Sequence, residues 1–172
     1  MPIPIPVSTI RKIPNGDKGT DKTVAYMRDM IRKGSIDPEV RNLAIALTYN
    51  TQNNFEKIGN LFNFVQSRMA YVKDNFYVET LQTPHFMTRQ FHEAGASFGD
   101  CDDHTIFLGS LLIAIGFPVK IVTVRVGQGY GPFNHVYLKT FNNGVWIPLD
   151  GTNKNKPMGC EVKYVRKKEF TV

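Results

Sequence analysis

Residues 97–126 read SFGDCDDHTIFLGSLLIAIGFPVKIVTVRV, and the change of period inside this stretch decides the fold. Asp100 stands where an N-cap is expected, and Asp103 three residues later resembles a capping box. Ile106, Phe107, Leu108, Leu111, Leu112 and Ile115 then point to all sides of a helix, so that helix belongs at the centre of the molecule. Gly116 ends it and Pro118 prevents its continuation. From Val119 the apolar period becomes two, and 119–126 reads as a strand.

Working outward, three further helices are expected upstream. The first starts near Thr20 or Asp21, carries Val24, Met27 and Ile31 on one face, and stops at Gly34. The second has Asp37 as cap, Pro38 at its first position and Glu39 in its first turn, with Leu43, Ala46, Leu47 and Asn50 at helical spacing. The third begins near Asn53 or Asn54 and carries the stripe Phe55, Ile58, Leu61, Phe62, Val65 and Met69. Residues 71–84 read as irregular or extended, and Pro84 opens a short helix closed by Gly95. Downstream, 134–141 and 145–150 read as strands joined at Asn142-Asn143-Gly144, with a last strand near 161–165. Helices first and antiparallel strands afterwards indicate α+β. The organisation that follows is an extended proline-rich arm over 1–19, whose PIPIP run suits a polyproline segment, a helical leader over 20–52, a core over 53–160 and a basic strand or tail over 161–172.

The chain has 172 residues, 42% of them hydrophobic and 21% charged, which excludes disordered, collagen-like and coiled-coil classes. No apolar run reaches the length of a membrane span, and the start MPIPIPVSTIRKIP lacks a signal-peptide core. Of the formal net charge of +6, the last 19 residues contribute +4. A solvated tail explains that, and no nucleic-acid motif accompanies it. Two cysteines, Cys101 and Cys160, are too few for a disulfide framework, so a reducing, cytoplasmic setting in the producing cell is expected.

Cys101 falls in the first turn of the central helix, where unpaired N–H groups and the helix dipole favour a thiolate, while Asp102 and Asp103 oppose it. A base is therefore required. Hairpin parity supplies one: a loop centred on Asn142-Asn143 sets His135 directly opposite Asp150, and a loop at Asn143-Gly144 makes them diagonal neighbours on the same face. Pro148 marks the second strand as an edge. In this reading Cys101 attacks a carbonyl carbon, His135 carries the proton and Asp150 orients His135. The Cys101 N–H is the first oxyanion donor, and Gln82 or Asn134 is named for the second. A packed cysteine, a satisfied strand histidine and a turn-capping carboxylate are the competing explanation. A metal site from Cys101, Asp102, Asp103 and His104, with His85 and His92 upstream, lacks the second close ligand pair that tetrahedral zinc needs. The GQGYG run at 127–131 lacks the lysine and helix of a phosphate loop, and reads as a connection or lid before His135.

GDCDDHTIFLGSLLIAIGFPVKIV, FNHVYL and WIPLDGT, in this order, resemble the transglutaminase-like superfamily, the papain-like branch ordered Cys, His, Asp. The upstream YVKDNFYVETLQTP is similar to bacteriophage and prophage members. The resemblance implies a Cys helix packed on an antiparallel sheet, thiol acyl chemistry on peptide or isopeptide amides through a thioester, and no cofactor. It also implies a protein or peptide substrate. Phage relatives add a virion head, tail or baseplate role, with the arm and basic tail contacting other structural proteins and the fold serving as a scaffold.

Overall fold

The computed structural model describes residues 7–10, 13–74 and 79–172. In chain order they form β1 (Val7–Ile10), α1 (Asp17–Ser35), α2 (Pro38–Thr48), α3 (Asn54–Arg68), β2 (Met69–Tyr71), β3 (Glu79–Gln82), α4 (Pro84–Ala94), β4 (Ser97–Gly99) and α5 (Cys101–Ala114). The strands β5 (Val119–Arg125), β6 (His135–Asn142), β7 (Val145–Leu149) and β8 (Arg166–Thr171) follow. These four make one antiparallel sheet in the order β7-β6-β5-β8. β1 pairs antiparallel with β3, and β2 pairs parallel with β4.

α5 is buried at every position from Asp102 to Leu112. Helices α1, α2, α3 and α4 cover it on one side and β5 and β6 on the other, so the α+β expectation holds. Val24, Met27 and Ile31 of α1 and Val40 and Ala44 of α2 share one apolar cluster with α5. Ile31 rests directly on Gly109, where a methyl group would lie 3.0 Å from its Cδ1.

The helix starts obey their signals. Asp37 accepts from the N–H groups of Glu39 and Val40, Asn53 from Glu56 and Thr83 from Phe86. α1 begins at Asp17, three or four residues before the expected start, and Gly16 offers no side-chain cap. Gly19, at the end of the expected arm, lies instead in the first turn of α1, and the Pro14 carbonyl oxygen leaves no room there for a Cβ. The buried ridge of α2 is Val40, Ala44 and Thr48, with Ala46 and Asn50 on the exposed side. The Phe55 of the α3 stripe is exposed.

At the far end, Asn143 and Gly144 both adopt positive φ, 49° and 83°, as a two-residue hairpin turn requires. The resulting register sets Leu138 opposite Leu149. β7 lies at the sheet edge, where Pro148 costs no ladder bond.

The final strand is Arg166–Thr171 rather than 161–165. Its cations pair with carboxylates at the surface: Arg166 with Asp17, Lys168 with Asp21 and Lys167 with Glu169. Charge of this kind suits an edge strand. Of the proposed arm, Val7–Ile10 is β1 and Asp17–Gly19 belongs to α1. The PIPIP run lies outside the described residues. No described helix is long and apolar enough to cross a membrane.

Ile31→Ala should cost about 2–5 kcal/mol, because the methyls it removes contact a glycine on a helix that is covered on all sides and has little freedom to collapse. Chemical denaturation with an unchanged m value is the check.

Candidate active site

Cys101 is the first residue of α5, and Asp100 caps that helix by accepting from the N–H groups of Asp102 (2.9 Å) and Asp103 (3.4 Å). The Asp103 carboxylate accepts from the Asp100 amide in return, completing the capping box. It also accepts from the Gln82 backbone N–H (2.8 Å) and the Gln82 carboxamide (2.9 Å). This buried link ties β3 to the start of α5. Gly99 belongs to the same contact, since a Cβ there would lie 2.4 Å from Asp103 Oδ2.

His135 opens β6, and Asp150 follows β7 directly. The observed register makes them diagonal neighbours on one face. The imidazole Nε2 lies 2.9 Å from Asp150 Oδ2. Asp150 is buried, and its Oδ1 accepts from the Thr152 N–H (3.2 Å) and hydroxyl (2.7 Å). Burial pushes the Asp150 carboxyl up. His135 and the two Thr152 bonds outweigh that and hold it below the usual carboxylate value.

The Cys101 thiol rests against the beginning of β6, where the Val136 amide reaches it. Burial raises its pKa well above the ordinary thiol value, and Asp102 and Asp100 add to the effect. The amides of Val136 and of Cys101 itself pull the other way. The helix N-terminus therefore does not by itself hold a thiolate here. The opposing acids are Asp102 and Asp100, while Asp103 is turned to Gln82. The thiol is 3.9 Å from Asp102 Oδ1, to which it donates. Among the described residues it makes no hydrogen bond to the His135 imidazole, whose Nε2 is given to Asp150, which leaves Nδ1 as the free ring nitrogen.

Gln82 and Asn134 sit differently from their expected place. The Gln82 carboxamide donates to the Phe98 carbonyl (2.7 Å) and to Asp103, which occupies both its protons. Asn134 donates to the Val126 carbonyl (3.1 Å) and accepts from the Val126 N–H (2.8 Å). The side-chain donors of both are thus engaged within the fold.

Tyr71 escaped the sequence reading because nothing in YVKDN foretells the parallel pair that sets it beside Gly99. Its ring is 6.2 Å from that of His104, and burial, then Cys101 and the surrounding acids, raise its phenol to about 12. The hydroxyl therefore stays protonated. His104 is buried, with Nδ1 2.8 Å from the Asp100 carbonyl oxygen, and burial lowers its pKa and keeps it neutral. Asp100, Cys101 and Asp102 bring ligand atoms within 4.8 Å of one another. All three sit on the helix cap and first turn, where the Asp100 carboxylate already holds two backbone N–H groups. His85 is directed to Asp37 instead, 3.0 Å away.

A cleft of about 640 Å³ opens beside the pair, lined by Tyr71, Asn134, His135, Asp150 and the 152–155 segment. The 127–133 connection beside it is pinned by Arg166, which donates to the Gly131 carbonyl (3.0 Å) and stacks on Tyr130 and Phe133 at 4.6 Å each.

Residues 41–151 match the model of the Transglutaminase-like superfamily. This chain belongs to that superfamily. Its Cys, His and Asp positions fall within the matched region. No curated protein sequence matches the chain. Two solved structures are similar in fold. One, from Cytophaga hutchinsonii and provisionally called a cysteine protease, is 16% identical with a TM-score of 0.52, covering 75% of this chain and 41% of that one. The other, from Parabacteroides distasonis and provisionally called a protease, is 17% identical with a TM-score of 0.55, covering 74% and 25%. The chain thus spans less than half the length of either. At such identity the likeness establishes the transglutaminase-like fold and nothing finer.

Two predictions follow from the Asp103 contact. Gly99→Ala should destabilise the protein by about 1–3 kcal/mol, measured by denaturant midpoint, since the added methyl meets a buried carboxylate. Burial raises the Asp103 carboxyl to about 6 from 3.8. Between those values the folded chain keeps a proton that the unfolded chain has lost, so stability should fall by up to about 3 kcal/mol as pH rises from about 4 to 6. Asp103→Asn should flatten that slope, whatever its effect on the absolute level.

Proposed function

We propose that this chain is a cysteine hydrolase or acyltransferase acting on peptide or isopeptide amide bonds through Cys101, His135 and Asp150. The observation that carries the reading is the 2.9 Å His135–Asp150 hydrogen bond, buried beside a thiol at the start of the central helix. Asp150, kept ionised, accepts from Nε2 and so fixes the tautomer in which Nδ1 carries the lone pair. Nδ1 takes the Cys101 proton as the sulphur forms a bond to the carbonyl carbon. The imidazolium then returns that proton to the departing amine as the C–N bond breaks, leaving a thioester. Water or a second amine resolves the thioester, giving hydrolysis or transfer.

A thiol held neutral by burial suits this sequence, because the charge appears only when the imidazole can balance it. The developing oxyanion has the Cys101 N–H as one donor. The Tyr71 hydroxyl, protonated and within electrostatic range of the thiol, is our candidate for the second in place of Gln82 and Asn134. No cofactor enters this route.

Alkylation with iodoacetamide tests it. His135→Ala should slow Cys101 labelling at neutral pH by about 10²-fold, with Cys160 in the same chain as reference. An unchanged rate would remove His135 from the mechanism. Tyr71→Phe should leave alkylation, which has no oxyanion, nearly intact while lowering amide turnover about tenfold or more.

The same neutral thiol favours a second reading, a scaffold within a phage virion in which Cys101→Ala leaves assembly and infectivity intact. The affinity to phage proteins rests on the sequence resemblance, and the carboxylates paired with the β8 cations offset the charge that strand offers for docking.

A further inference from the structure

The two sides of the cleft differ in chemistry. Tyr71, Val126 and Val162 present apolar surface, whereas Thr152, Asn153, Lys154 and Asn155 form a polar wall. That wall is a built turn. Gln66 of α3 donates through Nε2 to the carbonyls of Asn153 (2.7 Å) and Lys156 (2.8 Å). The Lys156 N–H closes the turn on the Asn153 carbonyl (3.1 Å). Thr152 is fastened to Asp150, and beyond the turn the Gly159 N–H donates to the Pro148 carbonyl (2.9 Å).

This turn carries Lys154, the one cation among the described residues lining the cleft. It is exposed, and among the described residues it forms no salt bridge. By contrast Lys139, Arg166, Lys167 and Lys168 on the sheet all find acidic partners within the fold. The charges bearing on Cys101 are acidic, Asp102 and Asp100. An anionic substrate would be repelled from this centre unless a cation met its charge, and the turn places one in the lining of the cleft that His135 and Asp150 share.

We propose that Lys154 receives a carboxylate of the substrate, so that the site takes peptides bearing a free carboxylate close to the scissile amide. Asn155, next to it in the lining, offers a neutral amide to the same anion. The proposal rests on the Cys101–His135–Asp150 reading for the identity of the cleft as an acyl site, but its test is separable from that reading.

The full chain is titrated with N-acetyl-alanyl-alanine as the free acid and as its C-terminal amide, followed by NMR shifts of residues 150–155. The acid should bind at least about threefold more tightly than the amide, and Lys154→Ala should abolish the difference. Equal responses to the two peptides, no response to either, or a preference surviving in Lys154→Ala overturns the proposal. In parallel, Cys101 is alkylated with iodoacetate and iodoacetamide at low ionic strength. The iodoacetate-to-iodoacetamide rate ratio should fall about threefold in Lys154→Ala, further in Lys154→Glu, and approach the wild-type value as salt is added to both. A ratio indifferent to both substitutions counts against the proposal. Should alkylation prove independent of His135 while the acid preference persists, the catalytic reading fails and the carboxylate site stands.

Discussion

A helix that is apolar on every side must be covered on every side, and much of this molecule is the cover for α5. Four helices pack on one flank and the paired strands β5 and β6 on the other. The constraint is sharpest at the N-terminus of α5, which has to be reachable from outside while the rest stays enclosed. Asp100 and Asp103 satisfy the free N–H groups there, and Asp103 spends its remaining acceptor capacity on Gln82. The result is a half-buried thiol at the first residue of an otherwise enclosed helix.

This placement sets the electrostatics. The dipole and N–H groups at a helix start favour a thiolate in water-exposed settings. At Cys101 the desolvation and the neighbouring acids are larger, and the sulphur keeps its proton. Asp150 is subject to the same burial, but has three directed hydrogen bonds to offset it and remains ionised. One difference, directed donors against none of comparable strength, separates a neutral acid from a charged one a few residues apart in space.

What the sequence disclosed follows the reach of its signals. The capped starts of α2, α3, α4 and α5, the buried stripe of α1 and the hairpin at Asn143-Gly144 are local features, and each is legible in a window of a dozen residues. His135 and Asp150 are legible because parity along a hairpin is a local rule. Tyr71, Gln82 and Asn134 are not, because their roles depend on pairings remote in sequence: β2 with β4, β3 with the start of α5, and the connection between β5 and β6. The same limit explains Gly19 and the α2 face. A glycine admitted for a close backbone approach looks like part of an extended arm until the approaching chain is known.

The two-residue turn at Asn143-Gly144 carries a consequence for how this architecture can vary in length. The sheet face on which His135 meets Asp150 is set by counting residues through that turn, in steps of two. Any number of paired positions, one residue added to each strand, can lengthen the hairpin and keep the imidazole over its carboxylate. An odd change in the residue count between them that is not absorbed by a bulge turns one of the two to the opposite face. The turn therefore acts as a length gauge for the contact between His135 and Asp150.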